Sequence, residues 1–252
     1  MSVNLFLFAH QDDEFGVYAE LEKLIAHQER VIVVYLTSGS LSGKNSAIRN
    51  SESVSVLCKL GILKSDIYFL GSQFCISDGK LSQSIDLMSD HIGNFCKDLN
   101  VSRLYFLAYE GGHQDHDAVH LIGVKLATKL NILDCSFQFS LYHGKNLPFG
   151  LFTVLSPISE NGIVISYRIP FLNRIKYLRL CFEFKSQKIP WLGLLPFFIT
   201  HYLFYGTQDL QKVRVERVFD KPHIGRVLYE KRKFYIYTDF VNDAKKLLDS
   251  LN

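Results

Sequence analysis

Residues 5–14 read Leu-Phe-Leu-Phe-Ala-His-Gln-Asp-Asp-Glu, and the fold turns on this stretch. Apolar residues from Val3 to Phe8, broken only by Asn4, run straight into a small residue, a histidine and three acids. A run this short, with polar flanks, marks a buried strand rather than a helix. Beyond Glu14 the spacing changes, and Phe15, Tyr18, Leu21, Leu24 and Ile25 recur on one helical face. His10, Asp12 and Asp13 therefore stand at the carboxyl end of a strand, where the chain turns into a helix. In open parallel α/β sheets ligands bind at that edge. Acids at a helix start also suit a plain structural role, answering the helix dipole. The histidine beside them makes an imidazole–carboxylate pair of the kind that binds divalent metal with one or two further ligands.

Strand–helix alternation continues downstream. Residues 30–37 are β-branched and apolar, a second central strand. Residues 38–45 are rich in Ser and Gly and read as a loop. Residues 49–60 are helical by spacing, with Val56, Leu57 and Leu60 inward and Gly61 just past the end. A third strand is expected over 66–70, a turn around Asp78-Gly79, a helix over 82–99 and a fourth strand over 101–107. Then comes a second polar cluster, Glu110-Gly-Gly-His113-Gln114-Asp115-His116-Asp117, which follows a strand and opens a helix over 118–130. A fifth strand is expected over 137–141. The pattern predicts an α/β, Rossmann-like, mostly parallel sheet with helices on both faces.

Past Pro148 the pattern shifts to a C-terminal α+β extension. Residues 1–147 read as the catalytic core, and 148–252 as an extension completing the same domain and shaping the substrate pocket. Strands are expected over 163–169, 213–219 and 226–237, and helices over 173–187 and 239–251. Residues 189–206, from Ile189 to Gly206, form the most apolar stretch, interrupted by Pro190, Gly193, Pro196 and His201. They are near the lower limit for a bilayer span. Lid, core and peripheral membrane contact remain open readings for them.

The 252 residues carry a net charge of +3, no basis for nucleic-acid binding. Residues 1–140 hold 11 Lys+Arg against 16 Asp+Glu, while 141–252 hold 17 against 9. Five cysteines are scattered without a CxxC pair, which fits a reducing compartment and argues against a disulfide framework or a thiolate zinc site. No signal peptide is visible, so a cytoplasmic protein, with peripheral membrane contact open, is the expectation. Ser42-Gly43-Lys44 lacks P-loop spacing, and no G-x-G-x-x-G follows the first strand.

A doubly wound sheet often sets its first and fourth strands side by side where strand order reverses. His10 and Asp13 then face His113 and His116 across a crevice. Two histidines, a carboxylate and an open position describe a catalytic zinc centre. His120, four residues after His116, is a candidate for support of that centre, and Glu110 stands close to it.

His10-Gln11-Asp12-Asp13-Glu14 resembles the AHPDDE signature of the PIG-L/LmbE family of metal-dependent N-deacetylases, and Gly111-Gly112-His113-Gln114-Asp115-His116 resembles its HPDH signature. Thr37-Ser38-Gly39, Arg49-x-x-Glu52 and Leu60-Gly61 are similar to a third stretch of that family, and Phe184-Lys185-Ser186-Gln187 to a Y-x-S-Q element. The resemblance spans roughly residues 3–190. It implies a Rossmann-like fold and one zinc ion, or another divalent cation such as Fe2+, held by His10, Asp13 and His116. It also implies Asp12 as general base, His113 as oxyanion stabiliser and acid, Asp115 as the group holding the His113 imidazole, and Arg49 at the substrate. Gln11 and Gln114 stand where the family has prolines, which removes a stiffener from each loop. Phe15-Gly16-Val17-Tyr18 replaces a glycine-rich run, which predicts a bulkier pocket wall.

The implied activity is zinc-dependent removal of an N-acetyl group from an acetylated amino sugar or sugar conjugate. Two rivals are an amidase for a non-sugar N-acyl compound and a non-catalytic sugar- or metal-binding protein of the same fold. The sequence does not fix an oligomeric state.

Overall fold

The computed structural model describes residues 2–41 and 44–251, so Ser42 and Gly43 of the expected 38–45 loop lie outside the described residues. Strand β1 (Val3–Phe8) is buried along its whole length. It lies mid-sheet, parallel to β2 (Arg30–Tyr35) on one side and β4 (Val101–Leu107) on the other. That position explains an apolar run without alternation, because both faces are covered. Register places Phe6 opposite Tyr105, and their rings stack at 4.4 Å. Beyond β2 lies β3 (Ile67–Tyr68) and beyond β4 lies β5 (Ser136–Phe139), both parallel. The order β3-β2-β1-β4-β5 reverses between β1 and β4.

Crossovers run through α1 (Tyr18–Ala26), α2 (Ser46–Lys59), the short α3 (Leu70–Gln73), α4 (Ile85–Phe95) and α5 (Gln114–Lys129). Right-handed connections put α1 and α2 on one face and α4 and α5 on the other. The last two pack on each other. A 3-10 turn, Asp13–Val17, precedes α1, and Gly61 ends α2 with φ +95°, a backbone that favours glycine.

The second half adds to the same sheet. A small ladder of β6 (Tyr142–His143) and β7 (Thr153–Val154) follows β5. Next come β8 (Val164–Arg168), α6 (Phe171–Cys181), α7 (Lys188–Phe204) and β9 (Thr207–Lys212). Strand β9 runs antiparallel to both β5 and β8, giving a seven-stranded mixed sheet among the described residues. Helices α8 (Leu228–Lys231) and α9 (Tyr237–Asp249) close the chain, α9 packing against α4 and α5.

The parallel half matches the sequence expectation closely, although the third strand keeps only two residues and the helix over 82–99 shortens to Ile85–Phe95 behind a 3-10 turn. The C-terminal half corrects two expectations. Residues 213–219 hold a 3-10 turn rather than a strand, and 226–237 contain α8 and the start of α9. Lys233, with φ 60°, turns the chain between those helices. Strand β9 was not predicted, because two of its three buried positions, Gln208 and Gln211, are glutamines. Gln208 donates to the Gly16 carbonyl at 2.9 Å, and Gln211 to those of Ile158 and Gly162 at 2.9 and 2.7 Å. A hydrophobicity pattern cannot see buried positions filled by satisfied amides.

Candidate active site

The first loop is built to hold carboxylates still. Asp13 Oδ2 accepts the backbone N–H groups of Ala9 and His10 at 3.0 and 2.7 Å. Its other oxygen lies 3.2 Å from Nε2 of His116. Asp12 has φ 109°, a left-handed backbone that costs a non-glycine residue about 1–3 kcal/mol. Its N–H donates to Glu14 Oε2 at 3.0 Å, and Arg49 Nη2 approaches its carboxylate at 3.2 Å. Arg49 is buried in α2 and also donates to the carbonyls of Gly39 and, at 2.6 Å, Gln11. The Gln11 side chain donates to Asn50 Oδ1 at 2.6 Å. Two tethers to α2 thus supply the stiffness expected to be lost with proline. Phe15 packs on Trp191 and Phe198 of α7 at 5.2 and 5.1 Å, so its bulk fills the contact with that helix.

The second loop leaves β4. Asp117 Oδ1 accepts the N–H groups of Glu110 and Gly111 at 3.2 and 3.0 Å. A Cβ on Gly112 would sit 2.0 Å from the Tyr142 carbonyl oxygen, so only glycine lets this turn pass β6. His113 caps α5, its Nδ1 accepting the Asp115 N–H at 3.2 Å. A neutral ring that accepts at Nδ1 carries its proton on Nε2. The Asp115 carboxylate does not hold that ring, as the resemblance implied. It accepts the N–H groups of Gly79 and Leu81 at 2.6 and 3.0 Å and meets His10 Nε2 at 3.0 Å.

The turn that Asp115 anchors delivers a residue that sequence reasoning did not select. Asp78 Oδ1 lies 3.1 Å from His10 Nε2 and 3.8 Å from His113 Nε2. The available signal was an Asp-Gly turn following β3, whose carboxyl end lies on the same sheet edge as the two motif loops.

His10, Asp12, Asp13, Arg49, His113, Asp115 and His116 are thus gathered at one place, where strand order reverses. Burial works against a charged His10, but Asp78, Asp13 and Asp115 outweigh it and hold its pKa well above the usual value. Burial likewise opposes ionisation of Asp13, yet His116 and His10 keep its carboxyl well below the usual range. Burial, partly offset by Arg49, pushes Asp12 up to about 8. Burial, with His10 next, lowers His113 to about 4.

The donors fit a divalent cation. His116 is 1% exposed, and neither of its ring nitrogens has a hydrogen-bond partner. Asp13 oxygens stand 3.2 Å from His116 Nε2 and 3.6 Å from His10 Nδ1. Two ligands ~2.1 Å from a tetrahedral zinc are about 3.4 Å apart. Ring nitrogens of His10, His113 and His116 also lie within 4.8 Å of one another, as do donor atoms of His10, Asp78, His113 and Asp115. Imidazole and carboxylate donors suit Zn2+ or Fe2+.

Other candidates have structural partners. Glu110 accepts Ser140 Oγ and the N–H groups of Leu141 and Tyr142 at 2.5, 2.8 and 2.8 Å. His120 Nδ1 bonds the Leu107 carbonyl at 2.9 Å. Glu52 accepts both the N–H and Oγ–H of Ser186 at 2.8 and 2.6 Å, joining the two weaker motifs to each other.

Residues 5–127 match a sequence family described as PIG-L, GlcNAc-PI de-N-acetylase. Residues 5–127 are thus a PIG-L domain. No curated protein matches it significantly by sequence. Among solved structures, a deacetylase from the teicoplanin biosynthesis pathway, in complex with bog, aligns with TM-score 0.62 at 13% identity, covering 83% of this chain and 98% of that one. The N,N'-diacetylchitobiose deacetylase of Pyrococcus horikoshii, complexed with its inhibitor MPG, aligns with TM-score 0.58 at 21% identity, covering 84% and 82%. A zinc-inhibited form of teicoplanin deacetylase gives 0.61 at 12% identity, covering 83% and 98%. At these identities the likeness establishes a shared fold.

Proposed function

We propose that this PIG-L protein is a divalent-metal-dependent hydrolase that removes an N-acetyl group from an acetylated amino sugar or sugar conjugate. One observation carries the reading. The His10-Asp12-Asp13 loop and the His113-Asp115-His116 loop, about a hundred residues apart in sequence, approach to 3.2 Å at Asp13–His116 and 3.0 Å at His10–Asp115. The family match and the deacetylases among the fold neighbours support the acetyl-sugar class. The neighbour crystallised in a zinc-inhibited form supports zinc as a cation that this fold admits.

His10, Asp13 and His116 hold the cation in this reading, with Asp78 beside His10. When bound, a divalent cation polarises the acetyl carbonyl and lowers the pKa of water to about 7. Asp12 stands next to a ligand without being one. A carboxyl pushed up to about 8 is a base matched to neutral pH, and it accepts the proton of the attacking water. His113 presents Nε2–H to the oxygen on which negative charge develops. The bond from water oxygen to acetyl carbon forms, and the C–N bond breaks. The nitrogen leaves with the proton that Asp12 took up, because a neutral His113 has no spare proton to give. That refines the acid role implied for His113, which becomes a hydrogen-bond donor to the oxyanion. Arg49, clamped on the Gln11 and Gly39 carbonyls, keeps Asp12 in place, and contact with the substrate is the second role this reading gives it.

The test is acetate release from a panel of N-acetyl amino sugars and N-acyl amino acids, with and without chelator. The expected result is turnover confined to the sugars, abolished by chelation and restored by added Zn2+. Activity that survives chelation removes the cation from the reading. Turnover confined to acyl amino acids moves the substrate class, and ligand binding without turnover over long incubation favours a non-catalytic protein.

A further inference from the structure

Helix α7 packs one face on the molecule and leaves an opposite apolar face bare. Trp191, Phe198 and Tyr202 are buried, whereas Ile189, Leu192, Leu203 and Phe204 are 87%, 79%, 59% and 77% exposed. The exposed set recurs at i, i+3, i+14 and i+15, one side of a helix that a water-facing surface would fill with charge. Residues 189–208 contain no Asp, Glu, Lys or Arg at all. Helix α6 lies antiparallel beside it, since Arg174 donates to the Tyr202 carbonyl and the Ile169 N–H to that of Gly206. This contact sets Phe171 and Leu172, 62% and 77% exposed, next to the carboxyl end of α7. The apolar face therefore spans two helices.

Charge selects among occupants. The hairpin, residues 171–206, holds five Lys+Arg and one acid, Glu183. Glu183 is paired with Lys59, and Lys176 with Glu22. Arg179, Lys185 and Lys188 are exposed and have no ion pair among the described residues. Glu52 of α2 meets this hairpin with its carboxylate taken up by the Ser186 N–H and Oγ–H, so exposed bases predominate beside the apolar strip and complement an anionic bilayer surface, where polar heads meet the bases and acyl chains meet the strip. A second copy of the same basic hairpin would face like charge. No helix among the described residues is long and apolar enough to cross a membrane, so contact along the surface is the mode left to α7.

We infer that the α6–α7 hairpin is a peripheral docking surface for anionic lipid bilayers. The face also adjoins the candidate active site. Rings run from His116 to Tyr142 at 5.3 Å, to Phe152 at 6.1 Å and to Phe197 of α7 at 4.9 Å. Docking stands apart from the proposed activity, because its readout is binding.

The full-length protein is mixed with vesicles of phosphatidylcholine alone and of phosphatidylcholine with phosphatidylglycerol, and bound protein is separated by flotation. The expected result is binding to the anionic vesicles, weakened at least tenfold by L192E/F204E, with the anionic preference cut about tenfold by K185Q/K188Q. Thermal melting checks that these variants remain folded. A second readout needs no variant. Trp191, the single tryptophan, neighbours Leu192 on α7, so brominated lipid in the anionic vesicles quenches its fluorescence if the hairpin inserts. Absence of vesicle binding, or binding without quenching and with no effect of L192E/F204E, overturns the inference. A dimer in light scattering that L192E dissolves, with no vesicle binding, assigns the face to a second copy and also overturns it.

Discussion

Asp12 shows how one residue can be kept basic beside a cation without joining it. Its neighbour Asp13 turns inward, fixed by two backbone N–H groups and facing His116. The left-handed backbone at Asp12 aims its own carboxylate toward Arg49 instead. Asp12→Asn keeps the shape and removes the base. The variant should retain the wild-type metal content by elemental analysis and lose roughly 10²–10⁴-fold in kcat. An Asp12→Asn enzyme of normal turnover sinks the base assignment. The motif residues were legible because both clusters sit at strand ends, and any doubly wound sheet brings such ends to one edge. Asp78 was not legible in that way. Its only local mark is a turn, and what brings it to His10 is the Asp115 carboxylate holding Gly79 and Leu81, a contact across 34 to 36 residues.

Helix α5 places His116 by being hooked to the strand before it. His120, one turn on, is buried, and burial holds its pKa down at about 4 against 6.5 for a free imidazole. In the unfolded chain it takes a proton as pH falls through 6.5, and in the fold only near 4. Stability from this group is therefore complete above pH 6.5 and lost as pH falls toward 4, by on the order of 3 kcal/mol. His120→Gln removes the titration and can keep a donor for the Leu107 carbonyl. Urea unfolding at pH 7.5 and 4.5 should show a smaller acid loss in the variant by about 2–3 kcal/mol. Parallel pH profiles for the two proteins would count against a neutral buried His120. The same loop offers a steric test, since Gly112→Ala drives a methyl group into the Tyr142 carbonyl. The cost should appear as a lowered melting temperature together with weaker metal retention, whereas an unchanged melt and metal content would mean that β6 yields easily. Element-level reading fails where buried positions are amides, as at Gln208 and Gln211 of β9, and where charge is interleaved with apolar residues, as in Glu230-Lys-Arg-Lys at the carboxyl end of α8. Apolar alternation is present in such segments, but helix-forming contacts override it.

Across the whole molecule, the site is the meeting point of separate crossover units. His10 and Asp13 come from the β1 loop, Asp78 from the turn before α4, and His113 and His116 from the β4 loop. Each unit brings charge that is costly to bury alone, and the carboxylates of Asp78, Asp13 and Asp115 hold the pKa of His10 above its usual value against the effect of burial. A bound divalent cation would tie these units together, and such a tie stabilises only the folded chain. At a free metal concentration about 1,000-fold above its dissociation constant, the gain is roughly 4 kcal/mol. For a chain of this size that corresponds to a melting shift of about 8–16 °C. The metal-loaded protein, stripped with chelator at pH 7.5 and scanned beside the untreated sample, should melt lower by that order and recover when Zn2+ is restored. Replacing His116 by Ala should remove most of the response, because both ring nitrogens of that buried imidazole are without a hydrogen-bond partner and free to bind the ion. A chelator-treated protein that melts with the untreated one, when elemental analysis shows the metal gone, would mean that the acids and imidazoles neutralise one another without an ion. The proposed hydrolysis would then lose its source of activated water, whatever the likeness of the fold.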